Sequence, residues 1–114
     1  MEQPKETIIQ KAYDLLKFGI VLVGQFPQKH KFTLGDRMQG HLSDVLEILV
    51  EAYYAPPAKK RPMLERVNIL LELNRHYCRL GYDLGLYNSL KYEDMAKRLN
   101  EVGRMNGGWL KTVA

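Results

Sequence analysis

TLGDRMQGHLSDVLEILVEAYY, residues 33–54, carries Leu34, Met38, Leu42, Val45, Leu46, Leu49, Ala52 and Tyr53 mostly three or four residues apart. That interval returns each apolar side chain to one face of an α-helix, whereas a strand would need alternation. Thr33 stands where a helix cap is expected, and Asp36 falls in the first turn, where a carboxylate meets the positive end of the helix dipole. The helix is predicted over about 33–54. The same periodicity organises the flanking sequence.

Toward the N-terminus, Ile8, Ile9, Ala12, Leu15, Leu16, Gly19, Ile20 and Val23 form a second stripe, with Lys11 and Lys17 on the opposite face, so a helix is predicted over about 7–24. Phe26-Pro27 marks its exit, because proline removes a donor and disfavours helical geometry just before it. Toward the C-terminus, Ala55 to Arg61 reads as a proline-bounded loop, and Pro62 suits the first turn of a helix over about 62–85. Met63, Val67, Leu70, Leu71, Asn74, Tyr77, Cys78, Gly81 and Leu84 line its inward face, and Gly85 is a stop signal. Asn88 or Ser89 can cap a fourth helix over about 90–111, where Tyr92, Met95, Ala96, Leu99, Val102, Gly103, Asn106 and Trp109 repeat near 3.6 residues. Asn74 is the odd member of its stripe: it is either a buried amide that needs partners or an exposed one.

Four helices with short connections must lie beside their chain neighbours, which predicts an all-α, up-down-up-down antiparallel four-helix bundle. The 114 residues, 46% of them hydrophobic, suit one domain over 1–114. No apolar run approaches the roughly 18 residues of a membrane span, and MEQPKETIIQ lacks the pattern of an export signal. With Cys78 as the single cysteine there is no internal disulfide, so a cytoplasmic location is the default expectation.

Little in the chain suggests chemistry. A bundle di-metal centre needs Glu-x-x-His pairs, and none occurs; His30, His41 and His76 are scattered, so no metal and no cofactor are expected. Cys78 lies on an apolar stripe, where a free cysteine usually acts as a small hydrophobe, and no glycine-rich phosphate loop follows a strand. No catalytic residue is assigned. Binding is the better expectation, because 17 Lys and Arg against 13 Asp and Glu leave a charge of +4 that favours anionic partners.

Folded onto antiparallel helices, Arg75 and Arg79 come level with Arg37 and His41, and Arg98 lies nearby, a band able to meet phosphates. Each arginine also has a local acid at helical spacing: Glu72 before Arg75, Asp83 after Arg79, Asp94 before Arg98. Binding and simple pairing are both open on spacing alone. The loop clusters Lys29-His30-Lys31 and Lys59-Lys60-Arg61 are equally ambiguous. Gly107 and Gly108 either permit close approach of a helix or subunit or let the last helix fray, and Trp109 either anchors an interface or packs inside.

Three segments carry a family resemblance. FPQKHKFTLGDR (26–37), NRHYCRL (74–80) and EVGRMNGGWLK (101–111) resemble the accessory variability determinant proteins of diversity-generating retroelements, although Asn74 stands where that family usually has leucine. The resemblance extends over roughly 7–111. It implies a bundle that assembles into a ring-like homopentamer with a basic surface, binds the retroelement's reverse transcriptase, and engages template RNA or cDNA during mutagenic retrohoming. On that basis Arg75, Arg79, Arg37, Arg98, Lys29, Lys31 and Arg104 are expected to contact nucleic acid or polymerase. Gly107, Gly108 and Trp109 are expected near a subunit interface. Bundle proteins encoded in intervening sequences of ribosomal RNA genes share the fold and are the rival family; a self-assembling structural bundle without a nucleic-acid role is the rival from another class.

Overall fold

The computed structural model describes residues 4–113, with side chains from Thr7 onward, and the expected span of 1–114 runs past these at both ends. Four long helices account for most of it: α1 (Pro4–Gly24), α2 (Asp36–Tyr54), α3 (Pro57–Asp83) and α4 (Ser89–Leu110). A single α-turn at Gln28–His30 and a π-helical segment at Lys31–Gly35 run directly into α2. No strand occurs among the described residues. The 27 residues of α3 rise about 1.5 Å each, which matches the 43 Å long dimension of the molecule. The helices therefore lie along that axis.

Each helix packs on its chain neighbours, and α4 closes back on α1, so the cross-section is square, with α1 opposite α3 and α2 opposite α4. Ile8, Ala12, Leu15, Met38, Leu42, Leu49, Leu64, Leu71, Met95 and Leu99 fill the centre and are almost fully buried. Gly19 lets α1 approach α2 closely, since a Cβ there would stand 2.5 Å from Leu42 Cδ1. The stripe expected on α2 is inward as read, except that Leu46 and Tyr53 are only half-buried.

Two helix starts differ most from the sequence expectation. Helical geometry before α2 begins at Gln28 rather than Thr33, and the Thr33 hydroxyl does not cap: it donates backward to the carbonyls of Lys29 (3.3 Å) and His30 (3.5 Å). The extra residue of the π turn brings Leu34 and Gly35 into the core while leaving Phe32 outside. Gly35 permits this, because a Cβ there would sit 2.6 Å from Val23 Cγ1, a branched atom with little freedom to yield. The loop after α2 shrinks to Ala55 and Pro56, since Pro57 already fits the first turn of α3 and Pro62 lies inside the helix.

The end signals of α3 and α4 act as read. Gly85 takes φ 74°, and the amides of Gly85 and Leu86 bond back to Tyr82 (2.9 Å) and Gly81 (3.0 Å), closing α3 in a Schellman turn. Asn88 Oδ1 accepts from the Lys91 amide at 2.9 Å and caps α4.

The cluster expected in a solvated loop instead forms the first turns of α3 and holds other helix ends. Lys60 Nζ donates to the Ala52 and Tyr53 carbonyls (2.7 and 3.2 Å) at the end of α2. Arg61 Nη2 reaches Leu110 and Val113 (3.0 and 2.9 Å) at the end of α4. Orphan carbonyls are thereby satisfied at the negative ends of two helix dipoles. Arg61→Ala is expected to lower unfolding free energy by about 1–3 kcal/mol, given the strength of hydrogen bonds to charged groups, as read from the urea midpoint. An unchanged midpoint would mean that water replaces the guanidinium without loss.

Candidate nucleic-acid and partner interface

Arg75 leaves α3 toward α4, donating from Nε to Asn100 Oδ1 (3.1 Å) and from Nη1 to Glu72 Oε1 (3.0 Å). Gly103 makes the room, since a Cβ there would come within 2.9 Å of Arg75 Nη2. Arg75 thus bridges two helices as well as carrying charge. Arg79, farther along α3, pairs with Asp83 at 3.0 Å and is open to solvent. The Asp83 hydrogen bond and charge raise its pKa further above the ordinary arginine value. Arg98 pairs with Asp94 at 3.0 Å and lies 4.5 Å from the Phe18 ring centre, across the α4–α1 seam.

All three local acids therefore pair with their arginines. Such exposed pairs contribute only about 0–1 kcal/mol, so a phosphate can replace the carboxylate at little cost. The level inferred for α2 against α3 is seen in His41 and Tyr77, whose rings lie 5.5 Å apart. The band does not lie on one face, however. Arg75 and Arg98 sit on the α3–α4 and α4–α1 seams, whereas Arg37 lies round the bundle in the α2–α3 groove.

Lys29, Lys31, Arg37 and Arg104 have no ion-pair partner among the described residues. The first three gather at one pole, on the α-turn, the π segment and the first turn of α2. There an open groove of about 680 Å³ runs between α2 and α3, with His30, Phe32, Asp36, Arg37, Tyr77 and Leu84 on its walls. Arg104 stands apart, exposed on α4.

The expected interface trio divides. A Cβ on Gly107 or Gly108 would meet nothing within 4 Å, so neither serves a close approach inside the chain. Trp109 is only 6% exposed and belongs to the core, with Lys60 Nζ 6.0 Å from its ring centre. An indole already packed within its own chain has no face left to anchor a neighbour, so of the two roles open in the sequence the structure favours internal packing.

Asn74 is the buried amide of its two readings, with no partner for Oδ1 or Nδ2 among the described residues. Asn106, also buried, donates to the Leu64 carbonyl and Asn68 Oδ1, both at 2.8 Å. Sequence periodicity passed over two exposed features. Phe32 is 63% exposed at the groove, and Tyr13, Ile20 and Val21 border an apolar trough of about 230 Å³ beside Leu16 and Leu46. The signal for the second was present, because KFGIVLV holds more apolar residues than one helix face can bury.

Burial pushes the Cys78 thiol above its ordinary range, only partly opposed by the Tyr87 hydroxyl, which donates to the Cys78 carbonyl and approaches its Sγ at 3.5 Å. A thiol held protonated is a poor nucleophile. Burial likewise pushes the Tyr87 hydroxyl far up. His76 meets Glu72 at 3.3 Å, and among the described residues no three His, Cys, Asp or Glu side chains converge as metal ligands. No helix among them is long and apolar enough to cross a membrane.

These features define a class: a small helical bundle whose charged side chains lie on its seams and at one pole. The chain belongs to the bAvd-like family, the accessory variability determinants, whose family model matches residues 7–113. That family is accessory and non-catalytic, and membership suggests such a role in diversity-generating retroelements. No curated protein matches the chain.

Proposed function

We propose that this chain is a non-catalytic accessory protein of a diversity-generating retroelement, binding its reverse transcriptase together with template RNA or cDNA to support mutagenic retrohoming. The family match over residues 7–113 carries the reading. The exposed cations give it a physical basis, since Arg79 and Arg98 are held by weak surface pairs and Lys29, Lys31, Arg37 and Arg104 are unpaired among the described residues. The polymerase supplies the chemistry; this protein supplies position and charge. It does so as a homo-oligomer, a ring of five by family resemblance, and the apolar trough beside Ile20 and Val21 suits contact with another copy. The same trough favours a second reading, a self-assembling bundle without nucleic acid.

Capture of the neighbouring reverse transcriptase by tagged protein, with and without template RNA, separates the two. Capture is expected to fall as salt rises, and Arg79→Glu with Arg104→Glu should weaken it roughly tenfold, about 1.4 kcal/mol. Arg75 is left in place because it bridges α3 and α4. Assembly without capture at any salt would favour the structural bundle.

A further inference from the structure

We propose that the groove between the π segment and α3 is a binding site for single-stranded RNA, with an unpaired base stacked on Phe32 and its phosphate held by Arg37. The inference rests on the nucleic-acid reading above and assigns it a place and a substrate form. Phe32 is 63% exposed although Leu34 and Gly35 of the same π segment turn inward, so a large apolar ring is held open to solvent beside the groove. Arg37 lines the groove without an ion-pair partner among the described residues, unlike Arg75, Arg79 and Arg98. Lys29 and Lys31 stand on either side of His30, which lines the groove as well, so two cations precede the Phe32 ring along the chain and Arg37 follows it.

A cationic groove with an exposed aromatic ring is the arrangement that holds single strands, because every base has a stacking face and every nucleotide a phosphate. A duplex keeps its bases stacked on each other and offers nothing to Phe32. Tyr77 and Leu84 add apolar wall on the α3 side. The Asp36 carboxylate, also on the wall, decides between the sugars: it repels phosphate but accepts a hydrogen bond from a ribose 2′-hydroxyl, which deoxyribose lacks.

Fluorescence anisotropy of labelled oligouridylate about 12 nucleotides long, within the site sizes of single-strand binders, tests this with the full chain. Oligodeoxyuridylate and an RNA duplex of equal length are the comparisons. The single RNA strand should bind tightest. Phe32→Ala should weaken it roughly tenfold, Arg37→Gln should reduce the salt slope by about 0.7, and Asp36→Ala should abolish the preference for ribose. Circular dichroism confirms that these exposed positions leave the bundle folded. Equal affinity for the duplex, or no change in Phe32→Ala, would overturn the groove assignment, and equal affinity for deoxyuridylate would overturn its RNA selectivity. Loss of RNA-free polymerase capture in Phe32→Ala, with oligonucleotide affinity unchanged, would give the groove to a protein segment instead. Retained polymerase capture without oligonucleotide binding would remove this site and leave the accessory reading in place.

Discussion

Replacing Trp109 with alanine is expected to destabilise the single chain by about 3–5 kcal/mol, the usual cost of deleting a buried aromatic side chain. The indole is only 6% exposed, so the substitution opens a cavity near the start of α3 and the end of α4. Two smaller effects act in opposite directions. Loss of the Lys60 contact at 6.0 Å adds to the cost, while removal of Nε1, buried without a partner among the described residues, offsets some of it. Lost packing outweighs both. A domain of this size has roughly 6–17 kcal/mol in total, so the urea midpoint should fall markedly with its slope preserved. A variant that kept its midpoint but eluted as a smaller species would make Trp109 an interface anchor after all.

Asn74→Leu is expected to have the opposite sign. Both polar atoms of Asn74 are buried without a partner among the described residues, a burden of about 1–3 kcal/mol in proteins, and leucine has the same branched outline without the amide. The thermal midpoint should therefore rise, and by several degrees, since about 1 kcal/mol moves a domain of this size by a few degrees. A lower midpoint would instead reveal a water bonded to the amide inside the bundle.

The contrast between these residues shows what the sequence could convey. Met38, Leu42, Val45 and Leu49 announced the core because one helix period placed them together, and all are buried. Periodicity turns Ile20 inward, yet it is 48% exposed, while Leu22 two residues on is 3% exposed. Where apolar residues run together, as in GIVLV, periodicity cannot choose the face. The Glu72, Asp83 and Asp94 pairs were legible because they are three or four residues from their arginines. Arg75 on Asn100, Arg98 on Phe18 and Arg61 on Leu110 were not, because each joins distant parts of the chain and depends on how the helices rotate. The π turn was hidden for another reason: Thr33 has the composition of a cap, and only its geometry shows the hydroxyl bonded backward.

The pair Lys60 and Arg61 ties together helices that do not otherwise neighbour each other. From one turn of α3, adjacent side chains grip the last carbonyls of α2 and of α4, which lie on opposite corners of the square. Opening that turn would release both ends at once, so amide protons in the final turns of α2 and α4 should exchange with solvent as one cooperative unit. Two diagonal helices would then fray together, with the start of α3 as their shared latch.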